Sequence, residues 1–194
     1  EVGDRDYYFP PGKHHTRLQK YNSIAAIEIH SEIMAKKKYR KEFNYSFVQK
    51  DSQSINNARV LSYANKLNLS IITNQINDNG IYFKSIVLRN AYDVFLLSKK
   101  TNAKDAVNTL NKLNKHLNCF LAICFQVFSA VDSLEYNRTN TAKFHISAFN
   151  RQLTYNRTTK VIHRLIKIFL LIKSRLNIIY KAIIYKEFRT WLFF

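Results

Sequence analysis

Glycine and proline are nearly missing from this chain, with three and two among 194 residues. Sandwiches, barrels and dinucleotide-binding folds turn their corners on such residues, so their scarcity predicts a mainly α fold. Acids are scarce too: 13 Asp+Glu stand against 31 Lys+Arg. No paired carboxylates fall in a nuclease pattern, and there is no phosphate-cradling glycine loop and no Gly-x-Ser-x-Gly elbow. Nothing in the sequence asks for catalysis, a cofactor or a metal. Only two cysteines occur, Cys119 and Cys124, in one apolar run. A disulfide between them would sit awkwardly in a helix, so two buried, reduced thiols and a reducing compartment are expected. No Cys/His set has zinc spacing. Apolar runs long enough for a membrane span are lacking as well. The run from Cys119 to Val131 is too short, and the one from Val161 to Tyr185 is interrupted by Arg164, Lys167, Lys173, Arg175 and Lys181.

What is present is cation and core together. The formal charge is +18, while 46% of the residues are hydrophobic. A packed domain with so positive a surface repels itself unless a polyanion neutralises it. Nucleic acid is the first expectation and anionic lipid the second. Asn, Lys, Ile, Tyr and Phe are abundant, the bias of AT-rich codons, which points to an organellar or AT-rich genome. Glu1-Val2-Gly3-Asp4 is polar and acidic, with no signal-peptide pattern.

Residues 1–83 read as an N-terminal arm and extension, and residues 84–194 as a helical RNA-binding domain. Within the first part, residues 1–20 form the arm, 21–41 a helix ending in the run Lys36-Lys37-Lys38, and 42–57 a loop. The stretch from Ala58 to Leu69 reads as a second helix. Asn77-Asp78-Asn79-Gly80, between two β-branched or aromatic runs, carries a hairpin signal. Glu28, His30 and Glu32 would share a face only on a strand; the expected helix scatters them. His14-His15 reads as part of the basic arm.

The second part is more regular. A helix is predicted from Ser85 to Leu97, then another capped by Asn102 with Asp105 in its first turn. Leu117 to Val131 is apolar nearly all round and reads as a central buried helix. From 134 to 151 apolar and polar residues alternate, at Leu134, Tyr136, Phe144, Ile146 and Ala148, and predict a protruding basic β-hairpin. A long helix follows from Thr158. At about 100° per residue, its Lys160, His163, Arg164, Lys167, Arg175 and Lys181 fall within about 120° of one another. Val161, Leu165, Ile168, Ile172, Leu176 and Ile179 share another face.

Three segments, in order, resemble the ribosomal protein S-seven family of the small subunit, over roughly residues 88–175. They are Ser98-Lys99-Lys100-Thr101-Asn102-Ala103-Lys104-Asp105-Ala106-Val107, then Leu134-Glu135-Tyr136-Asn137-Arg138, and Arg157-Thr158-Thr159-Lys160-Val161-Ile162-His163-Arg164-Leu165-Ile166. The glycine pair of the family's hairpin and its Tyr-Gln-Val-Pro are absent here. The resemblance implies a helical bundle with a hairpin that binds the 3′ domain of small-subunit rRNA, beside neighbouring ribosomal proteins, in a mitochondrial ribosome. It also implies a hairpin near exit-site tRNA and mRNA. The residues carried over are Lys99, Lys100, Arg138, Arg157 and Arg164. Charge geometry adds Lys143, Arg151, Lys160 and Lys167. Tyr136, Phe144 and Tyr155 are available for base stacking, with ordinary core packing as their alternative role. The rival expectation is an accessory subunit of a mitochondrial inner-membrane complex, its last long helix lying on anionic lipid.

Overall fold

The computed structural model describes residues 33–186, together with 18–19, 26–27 and 189. The chain divides into two units, Met34–Val161 and a second made of Glu1–Ile33 with Ile162–Phe194. The compact Met34–Val161 unit therefore runs across the boundary expected between 83 and 84.

The fold is mainly helical, as expected. Among the described residues the first pair of strands is β1 (Leu18–Gln19) against β2 (Ala26–Ile27), antiparallel. The helix predicted over 21–41 is not found where the chain is described: Ala26–Ile27 is strand, and only the 3-10 turn Lys37–Tyr39 follows. Tertiary contacts claim the backbone of this stretch instead. The Ala35 N–H donates to Asn77 Oδ1 at 2.9 Å, and Met34 is fully buried. His14, His15, Glu28, His30 and Glu32 lie outside the described residues.

Next come α1 (Tyr45–Lys50) and the antiparallel strands β3 (Gln53–Ile55) and β4 (Ala58–Val60). Their turn residues Asn56 and Asn57 have φ of 49° and 63°, the pair of positive values that a two-residue hairpin turn requires. The hairpin signal at Asn79-Gly80 does not form one. Instead α2 (Tyr63–Ile72), capped by Ser62, runs into a π-helical turn at Thr73–Asn77, and α3 (Gly80–Phe83) follows. Asn79 takes the left-handed φ of 62°; Gly80 does not have a positive φ. Its role is close approach. A Cβ there would stand 2.7 Å from the Asn74 carbonyl oxygen and 2.9 Å from Asn74 Oδ1. Gly80→Ala should therefore destabilise the protein by about 1–3 kcal/mol, read by urea unfolding. Helix propensity alone would favour alanine by roughly 1 kcal/mol, so an unchanged or raised stability would refute the steric reading.

The remaining elements are α4 (Leu88–Ser98), α5 (Ala103–Asn108), α6 (Asn114–Val127), the 3-10 turn Asp132–Leu134, α7 (Asn140–Thr154) and α8 (Asn156–Ile184). As read from sequence, Asn102 caps α5: its Oδ1 accepts the Asp105 N–H at 3.0 Å. The centre of the unit is α6, whose residues from Leu117 to Cys124 are all buried. Leu67 and Ile71 of α2, Val94 of α4, and Ala106 and Val107 of α5 are among the other buried core residues. The packing pairs α2 with α4 and α5, and α6 with α7.

The basic hairpin expected over 134–151 is not there. Residues 140–154 are helical, and Thr139 opens α7 by accepting the Ala142 N–H at 3.2 Å. The inward positions Ala142, His145, Ile146, Phe149 and Gln152 recur every three or four residues, while the outward ones are exposed. His145 sits on the buried face, so a polar residue holds a core position and the surviving apolar pattern mimics alternation.

Candidate nucleic-acid interface

The segment ahead of α7 is tied down by polar groups. Ser98, at the end of α4, donates to the Phe95 carbonyl and lies 2.8 Å from Ser133 Oγ in the 3-10 turn. Lys104 pairs with Glu135 at 3.0 Å. Asn118, buried on α6, donates to the Asn137 carbonyl at 2.8 Å and accepts the Asn137 N–H at 2.7 Å. Asn137 in turn donates its side chain to Asn108 at 2.8 Å. Arg138 follows directly and is exposed, between Asn137 and Thr139, whose N–H donates to the Asn137 carbonyl at 2.8 Å.

Lys99 and Lys100 stand at the C-terminal end of α4, where the helix dipole favours cations. The Lys99 ammonium lies 4.3 Å from the centroid of the Phe95 ring. Both lysines are exposed.

On the outward side of α7 stand Lys143, Phe144 and Arg151, all exposed; Phe144 is 59% accessible. Two polar contacts set the placement of this helix: Gln152 Nε2 donates to the Phe83 carbonyl at 2.6 Å, and Gln126 Nε2 to Asn150 at 2.6 Å. The first brings the end of α3 against α7. Lys84, just past that end, adopts a left-handed φ of 50° and holds its ammonium 5.7 Å from the Phe144 ring centroid. Left-handed backbone costs a lysine roughly 1–2 kcal/mol. Sequence reasoning missed Lys84, which lies in the stretch read as following a hairpin; only the fold of residues 73–83 brings it to α7.

The electrostatics beneath this face are uniformly positive. Burial, then Lys84, His116 and Lys115, lower the His145 pKa from 6.5 to about 4. Burial, with Lys38, Lys36 and Lys115, lowers that of His116, whose Nε2 lies 3.1 Å from the Tyr39 hydroxyl.

Arg157 and Lys160 occupy the first turns of α8 within the Met34–Val161 unit, whereas Arg164 and Lys167 belong to the other unit. All nine cations expected from sequence are exposed, and none forms an ion pair with a described residue. The aromatics part company: Tyr136 packs edge-on against Phe125 at 5.5 Å, while Phe144 and Tyr155 remain exposed.

Cys119 and Cys124 are free and buried; burial pushes the Cys119 thiol up to about 11 and Cys124 higher still. Neither has thiolate character to use. An open groove between α2 and α4 is lined by Lys66, Ser70, Arg89, Asn90 and Asp93, and Ser70 and Asn90 hydrogen-bond to each other's carbonyls. Among the described residues no group of three or more His, Cys, Asp or Glu is placed to hold a metal ion. No helix among them is long and apolar enough to cross a membrane. No protein-family model matches the chain, and no match appears among curated proteins or solved structures.

Proposed function

We propose that this chain is a structural, non-catalytic subunit of an organellar small ribosomal subunit, binding the 3′ domain of small-subunit rRNA beside neighbouring ribosomal proteins. The observation that carries the RNA reading is the outward side of α7. Lys143 and Arg151 flank an exposed Phe144 that Lys84 approaches, a combination of phosphate-neutralising cations with an aromatic face for an unpaired base. The ribosomal assignment rests on the ordered resemblance around Lys99, Arg138 and Arg157. The hairpin that linked the resemblance to exit-site tRNA and mRNA is replaced by α7, so the proposal is confined to rRNA and protein neighbours.

Affinity arises from phosphate neutralisation and counterion release, with the backbone of folded RNA recognised by shape. Arg138→Glu with Arg151→Glu should weaken binding to 3′-domain rRNA about tenfold to a hundredfold at low salt, and flatten the dependence on salt. Filter binding across a salt series measures both. Binding unchanged in a folded double variant would refute the role of these residues. For the native protein, co-sedimentation with small subunits should survive detergent, and detergent release into a respiratory complex would sink the ribosomal assignment.

A further inference from the structure

RNA binding leaves one large feature of the molecule unused. On α8, Leu165, Ile168, Ile172, Leu176, Ile179 and Ile183 recur every three or four residues, within an arc of about 80°. All six are between 46 and 69% exposed. Phosphates and base edges do not cover an aliphatic stripe that runs about 30 Å along a helix. Arg164 and Arg175 border the stripe on one side, and the helix holds no Asp or Glu from Asn156 to Ile184.

We infer that this face of α8 docks on an anionic lipid bilayer surface, lying in the headgroup plane without spanning it. Charge complementarity selects the occupant. A second copy would bring arginine rim against arginine rim with no acid to offset it, a repulsive arrangement. A bilayer bearing anionic headgroups accepts the aliphatic stripe at the acyl boundary and the rim at the phosphates in one geometry. The helix is amphipathic, with cations bordering its aliphatic stripe and no acids, the composition of an interfacial helix.

The test uses the full chain, freed of RNA, with vesicles of phosphatidylcholine alone or containing about a third phosphatidylglycerol. A chain of charge +18 will adhere to anionic vesicles by charge alone, so the decisive variant keeps every charge. Ile168→Gln, Ile172→Gln and Ile179→Gln together alter exposed positions only. Wild type should float with anionic vesicles and stay bound when salt is raised to about 0.5 M, where exposed charges are screened. The triple variant should bind at least about tenfold more weakly there. A dye on Ile172→Cys should report an apolar surrounding on binding, and one on Ser174→Cys, at the opposite side of the helix, should not; the buried Cys119 and Cys124 leave the introduced thiol as the reactive one. Equal flotation of wild type and variant, or equal dye responses, would overturn the inference. So would a wild-type dimer without vesicles that the triple variant abolishes, or capture of the face by an acidic protein helix that vesicles fail to displace. Binding of the triple variant to rRNA should be unchanged. Failure of the RNA proposal would appear in the Arg138 and Arg151 variants, and failure of this one in the isoleucine variants.

Discussion

Replacing Asn118 with leucine should lower the stability of the protein by about 2–5 kcal/mol. Asn118 is 2% exposed, and its amide meets both backbone groups of Asn137. Leucine fills a similar volume but leaves an N–H and a carbonyl without partners in a part-buried place, at about 1–3 kcal/mol for each. Loosening of the local network adds to this, because Asn137 also donates to Asn108, which accepts from Asn114 at 2.7 Å. Asn118→Asp should cost at least as much, because a buried carboxylate oxygen would face the Asn137 carbonyl. The effect passes to function through Arg138 and the Thr139 cap, which follow Asn137 directly, so rRNA affinity should fall in the folded variant as well. Urea unfolding gives the first quantity and filter binding the second. A loss below about 1 kcal/mol would show that water replaces the clamp.

Acid should destabilise the protein between about pH 6.5 and pH 4 through His145. The folded-state pKa is about 4 against 6.5 for the free side chain, so in this window the unfolded chain binds the extra proton. The stabilisation is fully present above pH 6.5 and is lost as pH falls towards 4. A displacement of this size amounts to about 3 kcal/mol. His116, lowered for the same reason, acts in the same direction. Unfolding free energies of wild type and His145→Leu, compared across the window, isolate the contribution: the variant should show a curve flatter by about 3 kcal/mol. Parallel curves would mean that His145 does not take up its proton only on unfolding. The same positive field that lowers His145 is the one that Lys84 presents beside Phe144, so Lys84→Gln should raise the midpoint of this acid loss only slightly, because burial is the larger cause.

Helices were legible where apolar spacing is sustained, and at α5 where Asn102 also caps the first turn. Asn102 with Asp105, the all-apolar run of α6 and the long periodicity of α8 stand at or near the expected places. Caps of the same type at Asn44, Ser62 and Thr139 went unread, since asparagine, serine and threonine are too common here to mark a boundary alone. The two hairpin readings, at Asn79-Gly80 and over 134–151, part from the structure for one shared reason. Over 134–151 the period-two pattern needs His145 to point outward, and at Asn79-Gly80 the hairpin signal treats the glycine as a turn residue. Whether histidine is buried, or glycine is needed for space rather than for φ, depends on what packs against it: α6 in one place, the Asn74 carbonyl in the other. At the candidate interface, the nine cations read from sequence are exposed. Lys84 was not found, as no local pattern links residue 84 to residue 144.

The amino-acid sequence by itself determined the class of fold and the sign of the surface. Few glycines and prolines leave helices as the economical way to satisfy the backbone, and a surplus of cations that cannot be buried must lie outside. Tertiary structure alone decided which cations share a face, which hairpin signal became a hairpin, and that α8 keeps its aliphatic side exposed. Those outcomes depend on contacts between residues tens of positions apart, such as Gln152 with Phe83 and Asn118 with Asn137, whose energies no local period encodes.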